Sequence, residues 1–534
     1  MVRSHKARRM ENTKGGRLIK NSALNLFNTF FMLATSWVIS IWVARQLGPS
    51  NYGIFNLVLW FTDSVTWVIG MGLIHAVTKF TAEFNGRDKN DFIGAIVVFV
   101  LKIEVVFAVV ATAVLLLLRV PIAHYFFTPR QSIFFLLAFI GILPGITTSI
   151  LSAAIDGLQK FEYFTYANLC ISPLSFISKI VVLTLGKGII GLLVVMLVFS
   201  FVNVLFYLFI LYKEGALKAS SFTASIDPSV KKRILKYNRS VLAILLCDKI
   251  VWDKSENFFL GRLCTSIEVA YYNLGFNIAQ KIISVLPFTF WRVLFPAMSN
   301  FYGSGDSDKM KRLFYLSTRY LAFAVIPTGI AGMILAYPII HYLYGHDYIG
   351  AQRVLQIIFL SSIVSSLANP GSAILYGYEK QAFIYKFGAF LAVINIALDV
   401  LFIKRYGALG AAVAYTVTTF LASVVGLIYT CKTMKLSYPF VSIFKVAFST
   451  IIMGIVMEII ILHNRELFGF IAALVCGAMA YLISAVVLGT FEKEDFLVLE
   501  NLSRVLPKKS KPFLDSLLAF VGHFKPGREN DKFS

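Results

Sequence analysis

IGAIVVFVLKIEVVFAVVATAVLLLL, residues 93–118, carries only two charged side chains, Lys102 and Glu104. A helix of about 20 apolar residues crosses the roughly 30 Å hydrocarbon core of a bilayer, so this stretch reads as a membrane span. Thirteen further stretches of the same kind flank it, at 22–44, 53–75, 133–155, 163–185, 189–212, 238–260, 270–296, 314–342, 351–375, 383–403, 409–431, 441–462 and 467–490. Polar joints separate them, and no soluble domain intervenes. With 58% hydrophobic and 15% charged residues over 534 positions, the solvent for this chain is lipid. Backbone groups in hydrocarbon must bond within their own segment, so the spans are expected to be helices. The fold class is an all-α polytopic membrane protein with 14 transmembrane helices. Spans 270–296 and 314–342 are long enough to tilt.

A net charge of +22 suggests a nucleic-acid binder until the basic residues are placed. The N-terminal tail, the even-numbered loops and the C-terminal tail hold 31 of the 50 Lys and Arg residues, and the odd-numbered loops hold under a third as many. That asymmetry is the positive-inside signal. It puts both termini in the cytoplasm, makes the plasma membrane the expected location, and removes the case for nucleic acid. The first apolar run is too long for a signal peptide and is read as a retained helix. Cys170, Cys247, Cys264, Cys431 and Cys476 form no CxxC or metal-ligand spacing and are read as packing residues.

Shifting the sequence by about 217–220 residues lays one half on the other. Ala44-Arg45 and Asn56-Leu57 match Gly261-Arg262 and Asn273-Leu274. Gly86 and the charged turn after it match Gly305 and its turn; Gly157 and Lys160 match Gly377 and Lys380; Gly188 and Gly191 match Gly407 and Gly410. Each repeat holds six spans, an even number, so both copies enter the membrane in the same sense. The expected organisation is a basic tail at 1–21, a first lobe at 22–212, a linker at 213–237, a second lobe at 238–431, two added helices at 441–490 and a basic tail at 491–534. Two parallel six-helix bundles normally enclose a cavity and rock about it, which is the architecture of a transporter.

Four segments carry a family resemblance: ARQLGPSNYGIFNL at 44–57, DGLQKF at 156–161, DKSENFFLGRL at 253–263 and NIALDVLFIKRYGALGAAVAY at 395–415. Together they resemble the oligosaccharide flippases of the multidrug/oligosaccharidyl-lipid/polysaccharide exporter superfamily. The resemblance implies two six-helix lobes plus two helices, moving a lipid-linked sugar from the cytoplasmic to the outer leaflet.

Ionisable groups inside a bilayer cost about 2.5–3.5 kcal/mol on insertion scales, so each marks a candidate site. In span 238–260, Arg239, Lys249, Trp252, Asp253 and Glu256 fall on one stripe at about 100° per residue. Lys249 and Asp253, four apart, are placed to pair. A functional stripe would set Lys249 against a lipid phosphate and let Asp253 and Glu256 exchange a coupling ion; a structural one would only fix packing. Asn56, Trp60, Asp63 and Trp67 share a face of span 53–75, and Asp63 is a second coupling candidate. Adding 217 leads to Asn273, Gln280 and Ser284, beside Asn277 and Lys281. Trp60 and Trp67 suit stacking on a pyranose and suit ordinary packing equally. Lys281 and Arg292 are expected on nearly one side of a continuous span 270–296, so that a phosphate from the inner leaflet meets Arg292 first. Asn25 and Asn28 continue a neutral row in span 22–44 that suits hydroxyl-rich cargo or helix-to-helix bonding. Lys102 and Glu104 receive no role. Pro287 is the expected hinge.

DSD at 306–308 has the look of a metal-binding DxD, but its repeat counterpart is an ordinary charged turn. No phosphate loop, zinc motif or nucleophile elbow occurs, so no catalysis and no cofactor are expected. The 491–534 tail is read as lying on the anionic inner leaflet. Expected partners are lipid-linked oligosaccharide, membrane lipids and glycan-assembly enzymes, with a monomer as the working unit. The runner-up functions are an ion-coupled drug antiporter of the multidrug and toxin extrusion type and a flippase for a peptidoglycan-precursor lipid. A membrane glycosyltransferase lacks support, having no large external loop with acidic metal ligands.

Overall fold

A computed structural model describes residues 2–70, 72–87, 90–222, 226–238, 255–378, 380–491 and 495. Among these residues the regular structure is helical, with no strand. Ten helices among the described residues are long and apolar enough to cross a membrane, or eleven when the bent pair Ser266–Ile283 and Val285–Ser304 counts as one span. The protein is therefore a multi-pass membrane protein.

Two compact units divide the chain: Met1–Asn273 with Ile396–Ala408, and Leu274–Asn395 with Leu409–Ser534. In the first, Phe61 sets its ring against Phe135 and Phe139 at 5.8 and 5.9 Å, and the buried Ile142 and Ile146 continue that core. In the second, Leu294, Met298, Met310, Phe314, Ala373 and Ile374 form a buried cluster.

Glycine sets the helix approach at matching places in the two units. A Cβ on Gly157, the last residue of helix Ile142–Gly157, would lie 2.6 Å from the Thr81 Cβ and 2.7 Å from the Thr78 carbonyl oxygen. One on Gly377, the last residue of helix Ala351–Gly377, would lie 2.9 Å from the Met298 Cβ and 3.1 Å from the Ser299 backbone nitrogen. Both helices thus need a residue without a side chain where a neighbour crosses.

Several predicted spans are interrupted. Spans 22–44 and 53–75 fall largely within one helix, Val2–Ile69, which breaks at Gly48 (φ 69°, ψ 167°) just before Pro49. Proline supplies no N–H and opens a new helix readily, so the break falls at this Gly-Pro step. Span 53–75 then ends early, and helix Leu73–Gly86 begins after Gly72. Spans 383–403 and 409–431 share helix Gln381–Met434, broken at Gly407 (φ 57°, ψ −132°). Glu268 Oε2 accepts a 2.6 Å bond from the Ala408 N–H there, satisfying a donor that the break releases.

Span 270–296 is not a continuous tilted helix: it bends by 51° between Ile283 and Val285. Pro287 explains the place of the bend, because it cannot bond the Ile283 carbonyl one turn back. Span 314–342 likewise becomes helix Ser307–Ile334 and helix Ala336–Tyr344, with Pro338 three residues after the Leu335 joint. The DSD triplet is a helix start. The Asp306 carboxylate accepts from the Lys309 N–H at 3.1 Å and pairs with its ammonium at 2.6 Å, while Asp308 pairs with Lys311 at 3.6 Å.

Candidate functional site

The polar residues of the first unit separate into an accessible stripe and a buried knot. On the stripe, Asp63 is exposed and Asn56, Trp60 and Trp67 are half-buried. Asn56 donates to the Tyr52 carbonyl at 2.7 Å, which holds its amide along its own helix. Thr62 and Thr66 likewise donate to Val58 and Thr62 carbonyls at 2.8 Å. Their hydroxyls satisfy themselves one turn back and cost the span little. Asp63 is thus an exposed acid beside Asn56, Thr62 and Thr66, which bond to carbonyls of their own helix.

The knot gathers around helix Glu256–Leu263. Glu256 is 1% exposed and Asp399 is 0% exposed, and their carboxylates interact. Ser255 Oγ donates to Asp399 Oδ2 at 3.4 Å. One residue on, the buried Asn257 and Asn273 exchange amide bonds, Asn273 Nδ2 reaching Asn257 Oδ1 at 2.7 Å and the Val269 carbonyl at 2.9 Å. Asn257 and Asp399 were not among the expected site residues. Asp399 was legible by the rule that selected Asp63, being a carboxylate inside a span. Its proximity to Glu256, 143 positions earlier in the chain, was not.

In the second unit, Asn277 and Lys281 are half-buried on helix Ser266–Ile283. Gln280 donates to the Tyr415 hydroxyl at 3.3 Å, and Tyr415 meets Phe276 edge-on at 5.1 Å, so Gln280 bonds helix to helix. Arg292 is exposed and its guanidinium lies 4.7 Å from the Phe288 ring centroid. The bend at Ser284 separates Lys281 from Arg292, so the helical wheel that set them on one side does not apply across it.

Arg239, Lys249, Trp252 and Asp253 lie outside the described residues, as do the side chains of Asn25 and Asn28, whose backbone belongs to helix Val2–Ile69. Glu104 is fully buried, and neither of its oxygens meets a hydrogen-bond donor among the described residues. No group of three or more His, Cys, Asp or Glu residues suited to a metal ion occurs among them either.

Residues 42–353, more than half of the chain, match the family described as polysaccharide biosynthesis protein. The chain belongs to that family. This bears out the resemblance read from 44–57, 156–161 and 253–263. A putative O-antigen transporter of Shigella flexneri is 22% identical over 423 residues, covering 76% of this chain and 95% of its own length. The fold is similar to that of the lipid II flippase MurJ in an inward closed conformation, with a TM-score of 0.69 and 18% identity over 88% of this chain and 98% of that one. It is also similar to an inward-facing multidrug resistance MATE family transporter of the MOP superfamily, with a TM-score of 0.60 and 15% identity over 76% of this chain and 94% of that one.

Proposed function

We propose that this polysaccharide biosynthesis protein is a flippase that moves polyprenyl-phosphate or diphosphate-linked oligosaccharide from the cytoplasmic to the outer leaflet by alternating access. The glycan would serve polysaccharide or glycoprotein assembly. The observation that carries this reading is the family match together with an O-antigen transporter relative covered over nearly its whole length. The drug-transporter likeness concerns the fold, which hosts several cargoes. Lys281, half-buried on a membrane helix, favours anionic cargo over a drug cation.

The proposed count of fourteen crossings is supported by dividing helices Val2–Ile69 and Gln381–Met434 at Gly48 and Gly407 and counting the bent pair once, with 238–260 added as the span expected from sequence. The matching roles of Gly157 and Gly377, and the positive φ of Gly188 and Gly407 (53° and 57°), support two parallel repeats. The charge asymmetry of the loops supports cytoplasmic termini at the plasma membrane. The head group would pass along the polar stripes of Asn56, Trp60, Asp63 and Trp67 and of Asn277 and Lys281, while the polyprenyl tail stays in lipid. Lys249, Trp252, Arg292, Asn25 and Asn28 complete the proposed set.

Direction would come from a proton or monovalent cation exchanged at Glu256 and Asp399, or at Asp63 or Asp253. Two adjacent buried carboxylates repel when both are ionised, so an added cation alters the energy of the knot that holds them. Deleting the gene should trap lipid-linked oligosaccharide on the cytoplasmic leaflet, and wild type should release it. Unchanged leaflet distribution in a strain without a redundant flippase would refute the reading.

A further inference from the structure

The second unit holds a cavity of about 700 Å³ that none of the transport residues above reaches. Its walls all come from one end of their helices. Met333 and Ile334 close helix Ser307–Ile334, Gln352 and Gln356 open helix Ala351–Gly377, and Glu458 and Leu462 lie in the last turns of helix Phe440–His463. The chain turns at this end through 345–350 and 464–466, both odd-numbered loops. With the termini in the cytoplasm, the cavity therefore belongs to the outer side.

We propose that this cavity is an outward saccharide-docking subsite. The inference rests on the flippase reading for the source of its ligand and on the chemistry of the walls for its class. Tyr337 and His341 stack in parallel at 5.5 Å and 6°, and Phe470 adds a further ring to the lining. Such faces suit the apolar C–H faces of pyranoses. Gln352, Gln356, Asn464, Glu458 and Glu466 surround them with amide and carboxylate groups for hydroxyls. The volume falls within the range of about 300–1,000 Å³ usual for small-ligand sites.

Charge separates a sugar from a phospholipid head group. The lining has two carboxylates, Glu458 and Glu466, against one guanidinium, Arg465, and no lysine. Phosphate would meet a net negative wall there, whereas neutral hydroxyls can donate to both acids. No ion pair links these three side chains among the described residues, so their hydrogen-bonding capacity is not consumed by one another. His341 Nδ1 is buried and has no hydrogen-bond partner among the described residues.

The rim is already shaped. Tyr342 donates its hydroxyl to the Arg465 carbonyl at 3.0 Å, Asn464 Oδ1 accepts from the Glu466 N–H at 2.9 Å, and Gln356 Nε2 is held by the Met333 carbonyl at 3.0 Å. Fixing these groups beforehand lowers the entropy lost on binding. Glu458, Arg465, Glu466 and Phe470 all come from the two helices outside the twelve-span repeat and from their joint, so the pocket exists only in a chain that carries the added pair. It would hold the sugars of a lipid-linked glycan after the head group has crossed, opposing its return.

The test uses the full-length protein in lipid nanodiscs. Saturation-transfer NMR would be recorded with the methyl glycosides of glucose, galactose and N-acetylglucosamine, and separately with glycerophosphoethanolamine. Ring-proton signals are expected from at least one glycoside. They should weaken about fivefold in Tyr337→Leu and in the conservative Glu458→Gln, the scale of one lost hydrogen bond, and stay unchanged in Lys311→Ala, which lies outside both the cavity and the polar stripes. No glycoside signal, a signal indifferent to Glu458→Gln, or a response to glycerophosphoethanolamine alone would overturn the proposal. Flipping in vesicles without glycoside binding would overturn it while leaving the flippase reading intact; glycoside binding without flipping would support the subsite and overturn that reading.

Discussion

At the scale of single residues, Glu104 is the side chain whose position was least legible. The sequence places it within a span, but nothing in its spacing reveals that it lies wholly inside the first unit with no described donor for either oxygen. Leaving buried polar groups unsatisfied costs about 1–3 kcal/mol, and an apolar replacement of similar shape removes that cost. Glu104→Leu should therefore raise the thermal midpoint of the purified protein, and a lower midpoint would contradict the placement. Gly377→Ala should act in the opposite sense, because its new Cβ meets Met298 and the Ser299 backbone within 3.1 Å. Forcing such an overlap costs about 1–3 kcal/mol, to be read in the same unfolding assay. Asp63 and Lys281 were legible as polar groups inside spans; Asp399 beside Glu256 required the fold.

At the scale of elements, the apolar runs located the helices well because length and composition are what a bilayer selects. The breaks were harder, since they depend on where a carbonyl is left unbonded. Pro287 was identified as the hinge candidate, and the 51° bend occurs within the turn before it. The continuous wheel drawn through Lys281 and Arg292 did not survive that bend. The start of helix Ser307–Ile334 shows how a motif is reassigned by geometry. Asp306 titrates below its usual range because hydrogen bonds from the Lys309 side chain and backbone favour its ionised form. A lowered folded value means that the cap supports the helix above about pH 4 and fails as pH falls through that folded value. Amide exchange at Lys309 and Met310, corrected for intrinsic rates, should quicken across that acid range, and Asp306→Ala should abolish the transition. Further along the same helix, Arg319, 3% exposed, pairs with Asp495, itself bonded by the Tyr320 hydroxyl at 2.9 Å. Asp495→Ala should cost about 3–5 kcal/mol by removing the carboxylate that pairs with a buried guanidinium, measured by thermal unfolding in detergent.

At the scale of the whole molecule, the membrane class was readable from composition alone, and the family was readable from a few ordered motifs. The proposed repeat draws support from glycines at helix ends: Gly157 and Gly377, 220 residues apart, each admit a close neighbour. What sequence did not offer was the cavity of the second unit, since its walls come from five helices and joints whose residues are unremarkable one at a time. Glu458, a carboxylate near the end of a span, was the available hint. The central claim is that this chain moves a lipid-linked saccharide across a bilayer, and reconstitution tests it without a host cell. Proteoliposomes holding fluorescent polyprenyl-diphosphate oligosaccharide in both leaflets would be treated from outside with a glycosidase. Wild type should carry cleavage beyond the outer-leaflet share reached by protein-free vesicles, and Lys281→Ala should slow that second phase about tenfold, as expected for loss of one charge-assisted contact. Cleavage that stops at the protein-free level, with wild type correctly folded in the vesicles, would contradict the account.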